Sequence, residues 1–79
     1  MIDVGEWNWV VNKSDMTCKN LENAVTVKMD RKNGHLEATL HDMPMELFAE
    51  IAGNSNGERI IERIVRTAGK EYLSSENRM

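Results

Sequence analysis

The chain has one cysteine, one proline and aromatic side chains at only 5% of its positions. One thiol, Cys18, closes no internal disulfide, which excludes a small scaffold stapled by disulfides. No apolar run approaches the roughly 20 residues that cross a bilayer, so no membrane partner is expected. The opening segment, MIDVGEWNWVV, has acids where a secretion signal has basic residues, and it has no apolar central stretch. Together these absences predict a cytoplasmic protein. A strong excess of either charge is also missing. Ten Lys and Arg stand against thirteen Asp and Glu, a net charge of −3, which argues against a dominant binder of phosphate backbones. There is no phosphate loop, Gly-rich nucleotide motif, nucleophile elbow or pair of catalytic carboxylates. The expectation is a protein that is not an enzyme and uses no cofactor or metal.

What is present is the composition of one small folded domain, residues 1–79, with 41% apolar and 29% charged residues. The clearest segment is residues 24–41. Val25, Val27 and Met29 alternate with Thr26, Lys28 and Asp30; Leu36, Ala38 and Leu40 alternate with His35, Glu37, Thr39 and His41. Asn33-Gly34 between them supplies the residues that tolerate positive φ in a tight hairpin. Residues 4–11, VGEWNWVV, alternate well enough for a first strand, with Trp7, Trp9 and Val11 on one face. The polar stretch 12–23 between them predicts a loop.

Asp42-Met43-Pro44 is a helix-start signal, and a first helix is expected over about 43–52, with Gly53 in a left-handed conformation beyond it. Ser55-Asn-Gly-Glu58 fits a capping box for a second helix reaching about Leu73. The predicted fold is α+β: a three-stranded antiparallel sheet followed by two helices on one face, ordered over about 4–73, with a flexible tail at 74–79. The second helix gathers Ile60, Ile61, Ile64, Val65, Ala68 and Tyr72 into a stripe roughly 140° wide. The first spreads Met45, Leu47, Phe48, Ala49, Ile51 and Ala52 over roughly 200°, more than one neighbour covers.

Five features could carry function. Arg59, Arg63, Arg66 and Lys70 fall within roughly 60° of one another on the second helix, opposite its apolar stripe. They form a strip of cations for an anion or nucleic acid, or a solvated face in which Glu62 pairs with Arg59 and Arg66. His35 and His41 are metal-ligand types, but six strand residues separate them by close to 20 Å, too far for one ion. Trp7 and Trp9 are either core or anchors for a partner. Cys18 with the histidines lacks the orienting third group that a nucleophile needs. Met43 and Met45 beside Phe48 suit an adaptable binding surface or core filling.

The sequence therefore predicts a non-catalytic protein-interaction module. Its partner is another protein or a second copy in a homodimer, and its contacts are Trp7, Trp9, Met45, Phe48 and Ile51. The alternative is a small nucleic-acid-binding or regulatory domain that uses Arg59, Arg63, Arg66 and Lys70.

Overall fold

The computed structural model describes residues 3–77. A single 3-10 turn, Val4–Glu6, leads into strands β1 (Val10–Asn12), β2 (Thr17–Asn20), β3 (Val25–Lys32) and β4 (His35–Asp42). Helices α1 (Met45–Ala52) and α2 (Gly57–Asn77) follow. The strands form an antiparallel meander in the order β1-β2-β3-β4.

The class and the order sheet-then-helices agree with the sequence, but the sheet has four strands, not three. The extra strand, β2, lies in the polar stretch read as a loop. Asn12 hides it by folding the chain back: its Oδ1 accepts the Asp15 N–H at 3.1 Å, and its Nδ2 donates to Asp15 Oδ2 at 3.1 Å. The strand then places Cys18 and Asn20 on the core side, each fully buried. Asn20 is satisfied there: its Nδ2 donates to Asn8 O at 2.9 Å, and its Oδ1 accepts the Asn23 N–H at 2.8 Å. A buried polar side chain with partners is compatible with a core, and alternation of apolar types cannot reveal it.

The first strand is correspondingly shorter than 4–11. Asp3 caps the 3-10 turn by accepting the Gly5 N–H, and pairing with β2 begins only at Val10.

The hairpin is as the sequence predicts. Asn33 and Gly34 have φ of 53° and 83°, the pair of left-handed residues a two-residue hairpin turn requires. Val25, Val27 and Met29 are buried, while Leu36, Ala38 and Leu40 are half-buried. A bulge at His41 shifts the register, so that Thr26 faces Asp42 and Val27 faces Leu40.

Helix α2 crosses the apolar face of the sheet. Ile64, Ala68 and Tyr72 are buried with Val4, Cys18, Val25, Val27 and Met29. Within 8 Å, its backbone approaches the 3-10 turn, all four strands and α1; α1 approaches only α2 that closely among the described residues. The two helices are therefore not equivalent covers of the sheet.

Four details at the helix ends differ from expectation. Pro44 is the N-cap of α1 rather than its first turn. Gly53 is right-handed at φ −79°, ψ −5°. The α2 start uses Asn54, whose Oδ1 accepts the Asn56 N–H at 2.9 Å. The helix also continues to Asn77, its end tied down by an Arg31–Glu76 ion pair and by Lys13 Nζ on Ser75 O at 3.3 Å. The part of the expected tail at 78–79 lies outside the described residues.

Candidate functional site

Strand β4 is an edge of the sheet: one side pairs with β3, and the other has no strand beside it among the described residues. It is eight residues long. An edge of that length presents a row of backbone donors and acceptors able to take another strand. Above it runs α2. A methyl group placed on Gly69 would lie 3.8 Å from Ala38 Cβ, while Cys18 on β2 donates its thiol to Ala68 O at 3.3 Å. The helix thus reaches β4 as well as β2, without filling the space beside the β4 edge.

The result is a groove of about 610 Å³ between β4 and α2, floored by Leu36 and Ala38 and walled by Ile61, Val65 and Leu73. Leu73 is 43% exposed. Leu36 and Ala38 are half-buried because they floor this groove. Glu58, Glu62, Arg66 and Lys70 line the α2 wall, two acids followed by two cations at every fourth residue.

A second hollow adjoins this groove at the start of α2. It is lined by Phe48, Ala52 and Ile61 with the loop between the helices, so Glu58 and Ile61 border both. Phe48 is 52% exposed at this hollow, and Met45 on the same helix is 85% exposed.

The residues proposed from sequence divide three ways. Phe48 lines the adjoining hollow, and Met45 is exposed on α1 three residues before it without lining either hollow. Ile51 is not: at 1% exposure it is core, because the α1 face that meets α2 carries it inward. Trp7 and Trp9 are half-buried against the core, their rings 5.9 Å apart and inclined at 49°. They precede β1 rather than sharing a strand face, and they are not part of the groove.

Arg59, Arg63, Arg66 and Lys70 do come together. With Gly5, Glu62 and Thr67 they line a polar hollow on the other flank of α2. The pairing expected with Glu62 is not formed; among the described residues none of the four cations has a carboxylate within 4.0 Å. Arg66 and Lys70 border both this hollow and the apolar groove.

Cys18 lies in β2 rather than in a polar loop. Burial, and secondarily the negative charge of Glu71, push its thiol up from 9.0 to about 11, so it is neither a ready nucleophile nor a ready ligand. His35 is 3.3 Å from Glu37 on the open face of the sheet, and no three His, Cys, Asp or Glu side chains converge on a metal site among the described residues. No described helix is long and apolar enough to cross a membrane.

Sequence reasoning missed the groove itself. Its residues read as ordinary inward positions of one strand and one helix; the groove arises from the edge location of β4 and the path of α2 across the assembled sheet. No protein-family model, curated protein or solved structure matches the chain.

Proposed function

We propose that the protein is a non-catalytic interaction module that binds another polypeptide in the groove between β4 and α2, with Met45 and Phe48 extending the contact surface. The observation that carries this reading is the combination of an unpaired eight-residue edge strand and an apolar groove alongside it. An added strand gains backbone hydrogen bonds from the edge, and its alternate side chains enter the groove. Trp7, Trp9 and Ile51, given to the partner by the sequence, serve the core in this reading. The alternative, an anion or nucleic-acid surface at Arg59, Arg63, Arg66 and Lys70, is favoured by one observation: no described carboxylate neutralises them within 4.0 Å.

Photocrosslinking tests the interaction reading. A crosslinking side chain replaces Val65 or Leu73 in the groove, and Val10, 52% exposed on the opposite face of the sheet, is the control. In cells, adducts are expected from Val65 and Leu73 and not from Val10. Equal labelling from all three positions would remove the groove as a binding site.

A further inference from the structure

We infer that the groove is filled by a second copy of the chain, related by a two-fold axis beside β4. This rests on the interaction reading and adds the identity of the occupant. A two-fold contact is isologous: if residue i meets residue j of the other copy, then j meets i, so the surface must complement itself.

The α2 wall does. Glu58, Glu62, Arg66 and Lys70 line the groove in that order, acidic in the N-terminal half and basic in the C-terminal half. An antiparallel copy sets Glu62 against the partner's Arg66 and Glu58 against the partner's Lys70, each pair formed twice. A unipolar partner, acidic or basic throughout, would match only half of the wall and oppose the other half. Among the described residues, none of the four is paired within 4.0 Å in the single chain, so all remain free for the other copy.

The strand edge has a complementary register. With Thr39 opposite the partner's Thr39, Glu37 faces the partner's His41 in both halves, and Ala38 faces the partner's Leu40 on the groove side. A threonine pair and a carboxylate facing an imidazole that can donate to it are favourable neighbours directly across an antiparallel pair. A two-fold at Glu37 would oppose two carboxylates.

The same axis serves both elements. Gly69 lies over Ala38, and the Arg31–Glu76 pair places the end of α2 near the hairpin turn, so α2 runs antiparallel to β4. The midpoint of the charged wall is Ile64, five residues before Gly69, or about 7.5 Å along the helix. That distance equals about two strand residues, which puts the helix midpoint beside Leu40, one residue from Thr39. Two independent patterns, one on a strand and one on a helix, give axis positions within about one strand residue of each other.

Sedimentation of the purified chain and of charge-reversed variants tests the inference. The wild type is expected to reach twice the monomer mass as concentration rises to the millimolar range. Glu62→Arg and Arg66→Glu each place like charges across the axis twice and should each weaken association by about tenfold. An equal mixture of the two variants restores opposite charges in both pairs, so it should associate within about threefold of the wild type. Both positions are exposed, and circular dichroism verifies that both variants fold. A wild type that stays at monomer mass at millimolar concentration overturns the inference, as does a mixture no stronger than either variant alone. If groove crosslinks to other proteins persist beside a monomeric wild type, the second copy is wrong and the interaction reading stands. If the groove crosslinks no better than Val10, that reading fails with it.

Discussion

At the scale of single residues, the two fully buried side chains of β2, Cys18 and Asn20, are held by what surrounds them. Asn20 is buried at no cost because Asn8 and Asn23 satisfy it. Cys18 is fully buried under α2, and its thiol donates to Ala68 O. Desolvation keeps that thiol protonated up to about pH 11 against 9.0 for an ordinary one. Since the folded value is the higher, the stabilisation is complete below pH 9.0 and is lost as pH rises towards 11, where the unfolded chain releases the proton more readily. Two results follow. A thiol reagent at neutral pH should leave the native protein unlabelled and label it fully in denaturant. The fall in stability between about pH 9 and 11, followed by urea titration, should also be shallower for Cys18→Ala than for the wild type. Rapid native labelling at neutral pH would show that α2 does not seal the site.

At the scale of elements, what could be read from the sequence depended on local chemistry. The β3–β4 hairpin was legible because Asn33-Gly34 dictates its turn and period-two alternation dictates its faces. The apolar stripe of α2 was legible for the same kind of reason, at a period of 3.6. β2 was not, because its core positions are Cys18 and Asn20 and its register is set by side-chain hydrogen bonds rather than by apolar alternation. The groove was not either, since edge position and helix placement are properties of the assembled sheet. Gly57 shows a similar limit. It reads as part of a capping pattern, yet its role is steric: a Cβ there would lie 2.5 Å from Ile51 O, the backbone of α1. Its own N–H donates to Asn54 O at 3.0 Å, closing the tight link between the helices. Gly57→Ala must push α1 and α2 apart, at an expected cost of about 1–3 kcal/mol. For a domain of this size that lowers the thermal midpoint by at least about 4 °C. An unchanged midpoint would mean that the helix junction yields freely.

At the scale of the whole molecule, the charge distribution separates the two functional readings. Four of the ten Lys and Arg residues lie along one side of α2, while the chain as a whole is acidic at −3. From Arg59 to Lys70 is eleven residue steps, about 16.5 Å of helix. If all four met phosphates, the logarithm of affinity would fall against the logarithm of salt with a slope near −3.6. That is a modest electrostatic footprint, and the surrounding negative charge opposes it. The expectation is therefore retardation of duplex or single-stranded nucleic acid only at low salt, gone at physiological salt. Arg59 and Arg63 line the polar hollow but not the groove between β4 and α2, Arg59 bordering the hollow beside Phe48 as well, so the pair separates this surface from that groove. The double variant Arg59→Glu, Arg63→Glu should abolish the low-salt retardation and leave sedimentation of the chain unchanged. Retardation that survives at physiological salt, and is lost in that variant, would make the flank of α2 the working surface. The edge of β4 would then be scaffold.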